Sequence, residues 1–97
     1  MANAPANIVY PIHGGTYPIS NPGAPPPLSS AYVTFSFGVT CEGGEHSVSW
    51  GVDSQTFGRA EYYDQFSSQF VQKIKGGGHE FWVRTDCGDD AVKFNVG

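Results

Sequence analysis

Three histidines, nine carboxylates and two cysteines are the groups in this 97-residue chain best suited to chemistry. Acyl transfer needs a nucleophile held beside a base. Serines are numerous, and His13, His46 and His79 are available, yet no Gly-x-Ser-x-Gly elbow frames any serine. Cys41 and Cys87 do not form a Cys-x-x-Cys pair, so neither a zinc knuckle nor a dithiol redox motif is indicated. Gly76-Gly77-Gly78 precedes strand-forming residues rather than a helix, so it lacks the dipole that phosphate loops use. Asp86, Asp89 and Asp90 flank Cys87-Gly88, and oxygen ligands at that spacing could hold Ca²⁺. The pattern falls far short of the twelve-residue calcium loop, and aspartate in a turn commonly bonds its own backbone. No cofactor is implied, and no catalytic constellation points to an enzyme.

These groups sit on a chain rich in turn formers. It holds 13 Gly and 7 Pro, together about a fifth of the residues against an average near 12 %. Seven Phe, five Tyr and two Trp argue against intrinsic disorder. The length allows one domain with a modest core. A net charge of −4 argues against nucleic acid, which needs a basic surface, and no apolar run is long enough for a membrane helix. Two cysteines fit a disulfide and an oxidising compartment, with two buried thiols as the alternative. The start, Met1 to Asn7, has no basic and apolar signal pattern, and residues 1–7 read as a disordered leader. Two readings remain, a cytoplasmic protein or a domain cut from a longer secreted chain with an added start Met, and the second is favoured.

No segment keeps a helical period. Seven short runs read as strands: Ile8–Ile12, Ala31–Thr40, His46–Val52, Phe57–Tyr63, Phe66–Ile74, His79–Thr85 and Ala91–Val96. The connection from Gly14 to Ser30 carries five of the prolines, and Pro25-Pro26-Pro27 should be extended. Glu42-Gly43-Gly44 and Gly76-Gly77-Gly78 read as turns, the second of hairpin type. Strict alternation puts Val33, Phe35, Phe37 and Val39 on one face, as it does Val48 and Trp50, Phe81 and Val83, and Val92 and Phe94. With Phe70 these residues form the expected core.

The same parity turns Trp82 outward, between Glu80 and Arg84, with Ser49 on one neighbouring strand and Lys93 and Asn95 on the other. An exposed indole in a polar field stacks on sugar rings or anchors a protein partner. Cover by the Pro-rich connection or by a neighbouring domain is the alternative.

The stretches IVYPIHGGTYPI, HSVSWGVD and IKGGGHEFWVRTDCGDD resemble the opening, central and late strands of bacterial immunoglobulin-like or fibronectin type III-like modules. The resemblance covers residues 8 to 96. It implies an all-β, immunoglobulin-like sandwich of about seven antiparallel strands over residues 8–97, with Cys41 and Cys87 meeting at one end. Thr85 stands where the tyrosine of an antibody-type corner would be, which leaves the looser bacterial type. Such modules are appended to secreted enzymes or surface proteins. The expectation is therefore a non-catalytic accessory module, extracytoplasmic, whose partners are neighbouring domains or another protein. The alternative is a carbohydrate-binding module in which Trp82, Glu80, Arg84, Ser49, Lys93 and Asn95 meet a polysaccharide.

Overall fold

The structure is a computed structural model that describes residues 6–19 and 29–97. Six strands follow in order: β1 (Ala6–Tyr10), β2 (Gly15–Tyr17), β3 (Ser30–Val52), β4 (Gln55–Lys75), β5 (Gly77–Thr85) and β6 (Gly88–Val96). They form one curled sheet in the order β1-β3-β5-β6-β2, with β4 paired to β3. The chain is all-β, as its alternation predicts.

Six strands replace the expected seven because two expected breaks do not end strands and one strand, β2, arises within an expected connection. Glu42-Gly43-Gly44 lies inside β3 as a bulge on the pairing with β4, between Cys41↔Asp64 and Glu45↔Tyr63. Gly43 and Gly44 have φ of 93° and 106°, the left-handed region where a Cβ is penalised. They bend the strand without breaking it. The fourth and fifth expected strands likewise run together as β4. Gly76-Gly77-Gly78 is a corner rather than a hairpin. β5 leaves β4 and pairs instead with β3 and β6, while the Gly76 N–H donates to the Ser29 carbonyl at 2.9 Å.

Two further boundaries differ. Ala6 and Asn7, expected in the leader, belong to β1, where Ala6 is buried opposite Val39. Gly15–Tyr17, expected within a connection, forms β2 and pairs parallel to β6, so the sheet is not purely antiparallel. Packing of Tyr17 on Phe94, centroids 6.1 Å apart, accompanies that pairing. Residues 1–5 and the Pro25-Pro26-Pro27 piece lie outside the described residues.

The core follows the alternation. Val33, Phe35, Phe37, Val39, Val48, Phe81, Val83, Val92 and Phe94 are all buried. Trp50 and Phe70 are only partly buried and pack against that core from its margin. Phe35 is the hub. Its ring meets Phe81 at 4.7 Å, Phe70 at 5.2 Å and Phe94 at 5.9 Å, and such pairs add about 0.5–1.5 kcal/mol each beyond area burial.

The pairing also exposes an internal repeat. The sequence Gly-Gly-x-His followed seven residues later by Asp occurs at Gly43–Asp53 and again at Gly76–Asp86, so equivalent residues stand 33 apart (46 to 79, 53 to 86). Each copy is a strand, a glycine corner, a second strand, an Asp turn and a third strand. The second strands of the two copies lie side by side and antiparallel, with Ser49 opposite Arg84 and Gly51 opposite Trp82. The first strands do the same, with Phe35 opposite Phe70. Both pairings are those of a local two-fold arrangement, which places the two His corners at opposite ends of the paired strands.

Candidate functional site

Each corner is built the same way. At one end the His46 Nδ1 lies 2.7 Å from Asp86 Oδ2, its Nε2 faces the Glu42 carbonyl at 3.1 Å, and the Ser47 N–H donates to Asp86 Oδ1 at 3.3 Å. At the other end the His79 Nδ1 lies 2.7 Å from Asp53 Oδ2, its Nε2 faces the Lys75 carbonyl at 2.7 Å, and the Glu80 N–H donates to Asp53 Oδ1 at 3.0 Å. Each imidazole leans on the aromatic ring across the ladder: His46 on Tyr62 at 5.7 Å, His79 on Phe94 at 5.6 Å. The aspartate in each case comes from the other copy. The glycines turn the chain so that the ring reaches back to the carbonyl four residues earlier, and the Asp turn at the end of the neighbouring strand meets its far side.

The electrostatics follow from this geometry. The hydrogen bond to Asp86 holds His46 above its ordinary value of 6.5, against the opposing loss of solvent; the Glu42 carbonyl adds to the rise. The same bond draws Asp86 below 3.8. For Asp53, burial pushes the carboxyl up, but the bonds from His79 and the Glu80 N–H outweigh it and the group lies below 3.8. Both imidazoles are nearly enclosed, with side chains 11 % and 7 % exposed for His46 and His79, whereas both carboxylates are half exposed.

The two ends differ behind the imidazole. Cys41 and Cys87 form a disulfide there, with Cα atoms 6.2 Å apart, inside the usual span. Cys41 Sγ lies 3.2 Å and Cys87 Sγ 3.9 Å from His46 Nδ1. The positions equivalent to these cysteines are Ile74 and Ser54. The alternation of β3 and β5 showed neither His–Asp pair, because the partners are 40 and 26 residues apart. The signal that would have found them is the repeated Gly-Gly-x-His and Asp spacing.

The outward residues of the sequence reading fall into two neighbouring concavities. Glu80, Trp82 and Arg84 line a shallow depression with Asp89, Asp90 and Ala91. Ser49 sits directly across from Arg84. Lys93 and Asn95, again with Glu80, line an open groove beside Gly14, Asp53 and His79. Trp82 is not the exposed platform that parity suggested. It is 8 % exposed, its Nε1–H donates to the Asp53 carbonyl at 2.8 Å, and the Arg84 guanidinium sits 4.6 Å above the ring. A Cβ on Gly51 would lie 2.7 Å from the indole, so the ring lies down across the glycine instead of standing in solvent. Parity gave its face correctly but not its cover.

The three aspartates weighed for Ca²⁺ are not gathered into a site. Asp86 is taken up by His46 and Ser47, whereas Asp90 accepts from the Ile8 N–H at 3.0 Å and from the Ala91 N–H at 2.9 Å. Among the described residues, the group that brings metal-ligating side chains together is Cys41, His46, Asp86 and Cys87. No protein family, curated protein or solved structure matches the chain.

Proposed function

We propose that the chain is a non-catalytic accessory or interaction module of a larger extracytoplasmic protein. The observation that carries this reading is the employment of both enclosed imidazoles. Each has its two ring nitrogens against oxygen acceptors that hold a backbone corner, a structural use of the groups best suited to proton transfer. The disulfide supports the extracytoplasmic part, since such bonds persist in oxidising compartments. Exposed apolar side chains at Val9, Tyr10 and Ile12, and at Val71, supply contact surface for a neighbouring domain or protein partner. Kinship with immunoglobulin-like or fibronectin type III-like modules belongs to the same proposal. Its support is the all-β chain of suitable length; the 33-residue repeat and the parallel β2–β6 pair are features outside that pattern. The reading frame that encodes the sequence is the test. A longer frame with an export signal and adjoining domains is expected, and a stand-alone cytoplasmic frame would overturn the reading.

Carbohydrate binding is the second reading, and the grouping of Glu80, Lys93 and Asn95 in one open groove favours it. Calorimetric titration with a panel of soluble polysaccharides tests it. Binding that is lost in Lys93→Ala and Asn95→Ala supports the reading, and no heat with any polysaccharide removes it.

A further inference from the structure

The disulfide end carries a donor set that its symmetric counterpart lacks. One donor atom each from Cys41, His46, Asp86 and Cys87 lies within 4.8 Å of all the others. Tetrahedral zinc with two sulfur, one nitrogen and one oxygen ligand sets its donors about 3.3–3.8 Å apart, from the usual bond lengths. The two sulfur-to-Nδ1 separations, 3.2 and 3.9 Å, straddle that range, whereas His46 Nδ1 and Asp86 Oδ2, hydrogen-bonded at 2.7 Å, must separate when a metal takes the place of the shared proton. The outer contacts are those of a ligand set already oriented. His46 Nε2 is engaged by the Glu42 carbonyl, which turns Nδ1 toward Asp86 Oδ2 and the two sulfurs, and a backbone carbonyl is a common second partner of metal-bound histidine. Asp86 Oδ1 accepts from the Ser47 N–H and the Thr85 hydroxyl, leaving Oδ2 on the cluster side. A disulfide sulfur is a poor ligand, whereas a thiolate is a strong one.

We propose that reduction of the Cys41–Cys87 bond converts this corner into a Zn²⁺ site ligated by Cys41 Sγ, Cys87 Sγ, His46 Nδ1 and Asp86 Oδ2. A dithiol reductant supplies the two electrons and two protons. The S–S bond breaks, two thiols form, and the dithiol leaves as its own disulfide. Zn²⁺ then displaces both thiol protons, and the Nδ1 proton when the ring carries one, to give two Zn–S bonds, one Zn–N bond and one Zn–O bond. Bridge and metal exclude each other, so the corner has two alternative closures selected by redox state. The inference does not depend on the accessory-module reading. It concerns any compartment in which the bond meets a dithiol.

The test uses the full chain. The protein is reduced with a phosphine, which takes oxygen from water to become its oxide, and exchanged without air into metal-free buffer. It is then titrated with Co²⁺ and afterwards with Zn²⁺. One equivalent of Co²⁺ should bind, with the thiolate-to-cobalt charge-transfer band and the intense visible bands of tetrahedral ligation, and Zn²⁺ should bleach them stoichiometrically. The oxidised protein should show neither band. His46→Ala should weaken Zn²⁺ binding by more than about tenfold. His46→Cys, which restores a donor, should recover the tetrahedral spectrum whether or not the alanine variant folds, and His79→Ala at the other end should leave the titration unchanged. The proposal is overturned if the reduced wild-type chain takes up no stoichiometric tetrahedral Co²⁺, folded or unfolded. Equal affinity in His46→Ala, or equal loss in His79→Ala, overturns it as well.

Discussion

The His46 and His79 corners share a glycine bend, an imidazole bonded to the carbonyl four residues back, and an aspartate lent by the other copy. They differ beside the ring: a Cys41–Cys87 bridge at one end, and at the other a concavity that His79 lines together with the equivalent residues Ile74 and Ser54. Since the hydrogen-bond frame is the same with and without the bridge, the frame comes from the corner itself. Glycine freedom, a ring reaching a carbonyl and a half-exposed carboxylate suffice to set it. The disulfide is an addition to one copy, and burial of Ile74 takes its place in the other.

The largest way to break this comparison is to remove the bridge. Reduction, or the pair Cys41→Ala and Cys87→Ala, should cost about 4 kcal/mol on the chain-entropy model, read from urea denaturation. A loss under about 1 kcal/mol would mean that the bridge adds little to its corner. Next is Ile74→Ala, which should cost about 2–4 kcal/mol as a buried large-to-small change. Similar stability in the variant and the parent would deny Ile74 its role as counterpart to the bridge. A smaller, sharper effect comes from copying the bridge. In the double variant Ser54→Cys and Ile74→Cys the new thiols should pair on oxidation, seen as no added alkylation in the mass spectrum. The shorter loop contributes about 3 kcal/mol and the lost isoleucine packing offsets most of it, for a net gain of about 1 kcal/mol. Two freely alkylated new thiols would show that the ends are not geometrically equivalent. The smallest effect is on pH dependence. Asp53 has a folded value below its ordinary 3.8, so its contribution is present above that pH and is lost as pH falls through the depressed value. Asp53→Asn should therefore flatten the acid limb of the stability profile, and an unchanged limb would assign that limb to other carboxylates.

Much of the fold was legible because burial on one face imposes a period of two. Val33, Phe35, Phe37 and Val39 announce their face, and Phe81, Val83, Val92 and Phe94 announce theirs. What lies over the opposite face has no such periodic mark. A period of two sets the side of Trp82, but its cover comes from Gly51, the Asp53 carbonyl and Arg84, of which only Arg84 is close in sequence. The glycine runs were legible as bends and not as bulge or corner, because composition does not say whether the flanking strands pair with each other. The histidine pairs were hidden for a third reason. His46 finds Asp86 through ladder pairing, and one strand's pattern carries no information about its neighbour's register.

The lending of aspartates between copies has a consequence for a chain made from its N-terminus onward. His46 is synthesised 40 residues before Asp86, an interval of about 2–8 s at ordinary elongation rates, and Cys41 waits longer still for Cys87. During that interval the first copy has its glycine bend and its own Asp53, but neither the carboxylate for its imidazole nor the partner for its thiol. Its corner is therefore completed late and from outside, by Asp86 and Cys87 of the second copy. The first copy alone is an unfinished template: the His79 corner has all its hydrogen-bonding groups once Glu80 is made, and the His46 corner only when Asp86 and Cys87 follow.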